Sequence, residues 1–281
     1  PDVLEGFDPA KGHSGTRAPG TYWDPKAGKL KRLEIQIFTS TAARLNAVRF
    51  EMWEAIPALV AELAADRDVR VVVLRGTGND AFAAGADISE FATHRQDPTS
   101  AAAYEQTNGR AFAALLALEK PVVAMLQGVC IGGGLAIAAC ADLRVAAEDV
   151  RMALPPARLG LGYAYAGVER LVSLVGPSAA SELFFTARTY TAAEPLRTGP
   201  GNQVVANPEL EASTRTYPEP TANAPLTIRA AKRAIAETQR EPATRDLEAV
   251  RRLIAECFAS ADYAEGVRAF LEKRKPRFRG A

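Results

Sequence analysis

Two short apolar segments restrict the possible folds of this chain more than any other feature. Residues 71–74 (VVVL) and 122–126 (VVAML) contain no polar position, as is typical of parallel strands that are buried on both faces. A helical pattern follows each of them, and residues 143–145 (LRV) repeat the order as a third strand. This alternation of strand and helix predicts an α/β fold with parallel pairing over the first two-thirds of the chain.

The rest of the chain shows fewer strands. Residues 33–37 alternate apolar and polar positions, which predicts a half-buried strand, and apolar residues recur at helical spacing between 50 and 63. After about residue 167 the pattern is mainly helical, with Gly176-Pro177 predicted to separate two helices. Prolines between 199 and 220 would interrupt a helix, so we expect irregular chain there.

Composition argues against several classes of function. The 34 basic and 33 acidic residues leave a net charge of +1, which gives no support for nucleic-acid binding. No apolar run approaches the roughly 20 residues that span a bilayer, and residues 1–20 have no signal-peptide pattern. Three cysteines indicate reduced core thiols in a cytoplasmic protein, and two histidines argue against a metal site or a Ser-His-Asp triad.

Two loops of small residues carry the expected chemistry. Residues 81–91 (AFAAGADISEF) follow the first buried strand, and residues 127–136 (QGVCIGGGLA) follow the second. Both run from a strand end to a helix start, where open α/β sheets bind ligands and where unpaired N–H groups are exposed. Two such groups aimed at one point would make an oxyanion hole. A glycine triplet taken alone is more typical of a tight turn than of an oxyanion hole. Asp87 and Glu90 fit a capping box at a helix start.

Together and in this order, the two loops resemble those of the crotonase (enoyl-CoA hydratase/isomerase) superfamily. Residues 44–47 (RLNA) and 270–276 (FLEKRKP) extend the resemblance. It implies a crotonase-like spiral of repeated ββα units with a C-terminal helical trimerisation region. The expected division is a loose arm over 1–30, a core with the CoA site over 31–200, and a helical region over 201–281. A homo-oligomer, either a trimer or a dimer of trimers, is implied, with coenzyme A as part of the substrate and no tightly bound cofactor.

The resemblance also implies residue roles. The backbone N–H groups of Ala86 and Gly133 would form the oxyanion hole. The positions at which the family folds CoA against the protein are Arg44, Leu45, Ala47, Ala84, Asp87 and Ile88. Phe270 and Lys273 fall on the terminal helix, which in the family often reaches a neighbouring subunit's CoA site. Phe270 fits the core equally well, and Lys273 fits a solvated basic face.

The acidic residues of a family hydratase are absent. The two positions where the family carries glutamates are Ala136 and Pro156 here, and neither side chain transfers protons. Tyr163 and Tyr165 follow and are expected to line the acyl pocket, and Glu105 is a candidate replacement base. Three hypotheses result: an enoyl-CoA hydratase/isomerase-family enzyme with an altered mechanism, another crotonase reaction such as malonyl-type decarboxylation, or a non-catalytic acyl-CoA-binding scaffold.

Overall fold

The computed structural model describes residues 31–38, 45–192, 194, 201–216 and 223–281. The predicted loose arm over 1–30 and Arg44 lie outside these ranges, as do residues 195–200 and 217–222 of the proline-rich stretch.

The strands of the described residues form two sheets. Their bounds are β1 Lys31–Phe38, β2 Val69–Gly76, β3 Ala81–Ala83, β4 Val122–Leu126, β5 Val129–Ile131, β6 Leu143–Ala147, β7 Arg151–Ala153, β8 Tyr190–Thr191 and β9 Gln203–Val205. The larger sheet has the order β1-β2-β4-β6-β9 and is parallel throughout. The smaller sheet has the order β3-β5-β7-β8, in which only β8 runs antiparallel.

Helices follow the strands and then dominate the C-terminal region. Their bounds are α1 Phe50–Ala65, α2 Phe91–His94, α3 Pro98–Ala117, α4 Gly133–Cys140, α5 Pro156–Leu159, α6 Tyr165–Thr186, α7 Leu210–Thr216, α8 Pro225–Thr238, α9 Leu247–Ala259 and α10 Ala261–Leu271. The backbone of Gly176 (φ 77°, ψ 164°) interrupts α6 just before Pro177, which confirms the predicted separation into two helical segments.

Alternation along the buried strands divides the core. Val72 and Leu74 of β2 face the main cluster with α1, α3 and α4, while Val71 and Val73 face a smaller cluster beneath Leu210 of α7. Both faces of the sheet are covered, and for that reason the strand sequence is uniformly apolar. The predicted α/β class with parallel pairing and ββα order is therefore confirmed.

Strand β9 lies just beyond the boundary predicted at residue 200. Gln203–Val205 pairs with β6, and α7 packs against β4 and β6. Residues 201–216 are thus part of the core, and the prolines do not leave this part irregular, because Pro208 falls in the first turn of a 3₁₀ helix, where a missing N–H costs nothing. The three-residue strands β3, β5 and β7 are too short for periodicity to predict.

The C-terminal helices pack at the edge where the core strands begin. Lys232 of α8 forms an ion pair with Asp142 at 2.7 Å, directly before β6. Arg70, near the start of β2, donates to the carbonyl of Arg279 at 2.8 Å. The two glycine-bearing loops leave the carboxyl ends of β3 and β5 in the smaller sheet. No helix in the described part of the chain is long and apolar enough to cross a membrane.

Candidate active site

The two glycine-bearing loops meet beside each other. They leave the neighbouring parallel strands β3 and β5, which pair through Ala83 and Cys130. A β-carbon added at Gly85 would lie 3.6 Å from the amide nitrogen of Gly133, and one added at Gly133 would lie 3.5 Å from the amide nitrogen of Ala86. The two backbone segments therefore border the same small space, and no side chain separates them.

Both amides at this space are available as donors. Gly85 accepts from the amide of Val48 at 2.7 Å, and Asp87 donates to the carbonyl of Val48 at 3.0 Å, so the amide of Ala86 between them points the other way. Gly133 is the first residue of α4 and has no intrahelical acceptor. Neither amide donates a hydrogen bond to any residue that the structure describes.

Glycine is required where the loops turn. Gly85 has φ +102° and Gly132 has φ +53°, both in the left-handed region that residues with a β-carbon avoid. Gly134 is limited by space instead, since an added β-carbon would lie 2.5 Å from the carbonyl oxygen of Ala83. The pattern of small residues therefore has a physical cause in the contact between the loops.

Trp53 forms one wall of this space. Its Cζ2 atom would lie 3.0 Å from a β-carbon at Gly133, and its ring meets Phe112 of α3 edge-on at 5.6 Å between centroids. The side chain is fully buried, and its indole N–H lies near the hydroxyl of Tyr104 without making a hydrogen bond of ordinary geometry. Helical periodicity identified Trp53 only as a core residue of α1.

Two arginines close the far end of α4. Arg144 donates to the carbonyl of Ala141 at 2.7 Å and to that of Ala138 at 3.3 Å. Arg170 donates to the carbonyl of Ala139 at 2.7 Å. Burial, and secondarily the charge of Arg170, lowers the pKa of Arg144 to about 10. The sequence reasoning missed both roles, although a charged residue inside the apolar strand LRVAA was an available indication.

The two predicted capping residues, Asp87 and Glu90, accept hydrogen bonds at the starts of different helices. Asp87 is buried and accepts from the amide and the hydroxyl of Ser89 at 3.1 and 2.6 Å. Glu90 accepts from the amide of Phe50 at 2.8 Å and so caps α1. The expected reciprocal capping box is corrected accordingly, because Glu90 turns to the unpaired amide of a neighbouring helix.

The predicted CoA-binding positions near the first loop lie together. Leu45 and Asn46 adopt left-handed φ values of 47° and 57°, and Asn46 donates to the carbonyl of Ala81 at 2.8 Å. This anchors residues 45–47 against β3, and Ala84 donates to the carbonyl of Leu45 at 3.0 Å. Ala47 and Ala84 are half-buried and Ile88 is exposed, so they can present a surface to a ligand.

Phe270 and Lys273 lie elsewhere. Phe270 is 83% exposed on α10, and Lys273 follows this helix with φ 53°. Both belong to the C-terminal region, which packs at the strand-start edge of the core. The structure therefore does not bring them to the loops of their own chain.

The remaining predicted positions differ in how far they are buried. Ala136 and Pro156 are buried, and no carboxylate occupies either position. Burial raises the pKa of Tyr163, whose ring packs edge-on against Phe184 at 5.1 Å. Tyr165 is 77% exposed and its hydroxyl lies 3.4 Å from Glu169, so of the two tyrosines only Tyr163 is enclosed.

Glu105 is held in an ion pair that the sequence analysis did not anticipate. Its Oε1 lies 2.6 Å from a terminal nitrogen of Arg95. The guanidinium of Arg95 lies over the rings of Phe91 and Tyr104, at 4.7 and 4.1 Å from their centroids. Arg95 follows a short helix without a recognisable motif, so no sequence pattern pointed to it.

Comparisons with known proteins agree with this architecture. Residues 35–281 match a family model described as Enoyl-CoA hydratase/isomerase. The short-chain-enoyl-CoA hydratase of Clostridium acetobutylicum is 33% identical over 232 residues, which cover 82% of this chain and 88% of that protein. The 2,3-dehydroadipyl-CoA hydratase of Escherichia coli is 34% identical over 225 residues, covering 79% and 87%.

Solved structures give the same result. A putative enoyl-CoA hydratase/isomerase family protein from Hyphomonas neptunium superposes with a TM-score of 0.81 at 38% identity, covering 90% of this chain and 95% of that one. An enoyl-CoA hydratase/carnithine racemase from Magnetospirillum magneticum superposes with a TM-score of 0.83 at 32% identity, covering 90% and 93%. The chain thus belongs to the enoyl-CoA hydratase/isomerase family, within the crotonase superfamily.

Proposed function

We propose that this chain binds an acyl-CoA thioester and stabilises its enolate with the backbone N–H groups of Ala86 and Gly133. The carrying observation is that these two amides border one space and donate to no described residue. One oxyanion-hole donor is worth roughly 2.7–4 kcal/mol of transition-state stabilisation. The N-terminus of α4 adds a partial positive charge at the same place.

The CoA moiety would lie along the first loop. Leu45, Ala47, Ala84, Asp87 and Ile88 would contact it, since they lie in the first loop or in the segment hydrogen-bonded to that loop, and Arg44 precedes them in the chain. Phe270 and Lys273 would reach CoA on a neighbouring copy, because the C-terminal segment that carries them contacts the start of β2 through Arg279. The proposal therefore includes a homo-oligomer, with trimers or paired trimers as the expected form.

The absence of acidic residues at the family's two glutamate positions in α4 and α5 limits the reaction that the chain can catalyse. A positioned acid or base contributes roughly 10²–10⁴-fold to rate, and the described positions 136 and 156 offer Ala and Pro. Polarisation of the thioester survives this loss, whereas water addition becomes slower. A second candidate is decarboxylation of a malonyl-type thioester, since loss of CO₂ creates the enolate without a protein base.

Replacing Gly133 tests the proposal. Gly133→Pro removes the N–H group and adds a ring beside Trp53, while Gly133→Ala adds a β-carbon there and keeps the N–H group. We expect turnover of an accepted thioester to be about 10²–10³-fold lower for the proline variant than for the alanine variant. Equal turnover in the two variants would contradict the role of this amide.

The substrate is identified on the unmodified protein. Crotonyl-CoA is followed by loss of its conjugated-thioester absorbance, and malonyl-CoA by release of CO₂, with CoA binding measured on the same sample. Rapid loss of absorbance supports a hydratase, and CO₂ release supports the decarboxylase. Tight binding with neither reaction supports the binding-only alternative, and absence of binding contradicts the whole proposal.

A further inference from the structure

One face of α3 contacts Trp53, the residue that lies beside Gly133. Glu105, Asn108 and Phe112 share this face, because residues three, four and seven apart lie above one another on a helix. Phe112 packs against Trp53, and Trp53 lies beside Gly133. Glu105 is therefore placed two turns from Phe112, about 10 Å along α3, on the same side of the helix as the ring that packs against Trp53.

Tyr163 is a neighbour of both Glu105 and Cys140, the last residue of α4. Ala136 and Cys140 are one turn apart on α4, and the thiol of Cys140 contacts the carbonyl of Ala136 at 3.3 Å. Burial raises the pKa of Tyr163, and Glu105 and Cys140 contribute in the same direction while Arg95 opposes them. Tyr163 is thus within electrostatic reach of both sides, and it remains a neutral phenol that does not act as a base.

Arg95 fixes the carboxylate of Glu105. The side chain of Arg95 is 8% exposed, while that of Glu105 is 33% exposed. Stacking on Phe91 and Tyr104 leaves the guanidinium little freedom, and its Nε has no acceptor in the described structure. The carboxylate is therefore oriented from its buried side and stays open on the other side.

The other carboxylates nearby have different positions or partners. Asp87 and Glu90 accept hydrogen bonds from backbone amides at helix starts. Glu169 lies on the exposed surface of α6 beside Tyr165. Helix α4 itself carries no carboxylate. Among these described acidic residues, Glu105 combines a fixed orientation with an open side, on the face of α3 that contacts Trp53.

We propose that Glu105 is the carboxylate that exchanges a proton with the carbon next to the thioester carbonyl, in place of the acidic residues absent at positions 136 and 156. The C–H bond of that carbon breaks, its electron pair is delocalised onto the thioester oxygen at the two amides, and the proton moves to Glu105. The reverse step restores the thioester. This inference rests on the proposed function, because without the polarised thioester the carbon is not acidic.

Isotope exchange tests the step without requiring the natural substrate. Butyryl-CoA is incubated with the full chain in D₂O, and deuterium at the carbon next to the carbonyl is followed by mass spectrometry. Polarisation is followed separately by the red shift of a bound aryl-conjugated enoyl-CoA. We expect Glu105→Gln to exchange at least about 100-fold more slowly while the red shift is kept, since only the proton acceptor is removed.

Two further variants make the result specific. Glu105→Asp keeps the charge opposite Arg95 but withdraws the carboxylate by one methylene, and we expect exchange at least about tenfold slower with the red shift kept. Glu169→Gln makes the same change on the exposed surface of α6 and should exchange like the unmodified chain. Unchanged exchange in both Glu105 variants, or a red shift without exchange in the unmodified chain, overturns the role of Glu105. Absence of the red shift in the unmodified chain overturns the proposed function instead.

Discussion

Arg170 donates a hydrogen bond from Nε to the carbonyl oxygen of Ala139 at 2.7 Å, at the end of α4 opposite Gly133. Arg144 satisfies the carbonyl of Ala141 at the same end. An eight-residue helix is short, so both of its ends influence how firmly it is held. Cations at the C-terminus stabilise the helix that presents its N-terminal amides to the candidate site.

Arg170→Met should therefore act on stability and on the site together. We expect a loss of about 1–3 kcal/mol in the free energy of unfolding, because the carbonyl of Ala139 loses its partner. We also expect a smaller red shift of a bound conjugated thioester, since α4 is held less firmly. Arg251→Met, on the exposed surface of α9, should change neither quantity measurably. Urea unfolding measures the stability, and difference spectra measure the red shift. A normal red shift in Arg170→Met would show that this arginine does not influence the site.

Gly134 and Gly109 make a matched pair. An alanine at Gly134 would place its β-carbon 2.5 Å from the carbonyl of Ala83, whereas an alanine at Gly109 within α3 would meet nothing within 4 Å. We expect Gly134→Ala to lose about 1–3 kcal/mol by overpacking and to reduce turnover by moving the two loops apart. Gly109→Ala should gain about 0.5–1 kcal/mol from the lower entropy of its unfolded chain. Urea midpoints of equal value in the two variants would contradict the contact between the loops.

Sequence patterns predicted the larger elements of this fold well. The buried strand 122–126 was predicted with the bounds that β4 has, and α1 begins at the predicted residue 50. These elements are long or uniformly apolar, so their pattern reflects burial directly. Strands β3, β5 and β7 have three residues each, and β9 lies among prolines, so their formation depends on pairing partners that are distant in the chain.

The candidate site was only partly predictable for the same reason. Gly85 and Gly133 indicated two exposed backbone amides, because backbone segments that approach each other closely require small residues. No sequence pattern identified Arg95 or Trp53, since each acts through residues that become its neighbours only on folding. Tyr165 shows the opposite error, as proximity in sequence to Tyr163 did not place it inside.

Tyr104 should govern part of the loss of stability in alkali. Burial raises its pKa from 10.0 to about 12, with Arg95 and the indole N–H of Trp53 opposing without cancelling the effect. A raised pKa in the folded state means that this contribution is complete below pH 10 and is lost as the pH rises toward 12. The full loss is on the order of 2–3 kcal/mol.

Tyr104→Phe isolates this contribution. The hydroxyl makes no hydrogen bond of ordinary geometry with a described residue, although the indole N–H of Trp53 lies near it, so the variant should be about as stable as the unmodified chain at pH 7. Its urea midpoint should then fall less between pH 9 and pH 11. Cys140, whose pKa burial raises to about 12, contributes to the alkaline loss in both proteins and cancels in the comparison. Parallel midpoints for the two proteins over this range would argue against a buried, neutral Tyr104.

The apolar groove between α8, α9 and α10 should be covered by another copy of the chain. Phe258 and Phe270 are exposed there, and the groove has a volume of about 710 Å³. Exposed apolar area of this kind on a helical surface is typical of an interface.

Phe258→Glu would place a charge against the partner, so we expect a shift from trimer or hexamer toward monomer in sedimentation velocity. Arg251→Glu adds the same side chain elsewhere on α9 and should leave the assembly intact. If Phe270 and Lys273 complete a neighbour's CoA site as proposed, the monomeric variant should also bind CoA more weakly, whereas unchanged CoA binding by a monomer would show that each chain holds its own ligand.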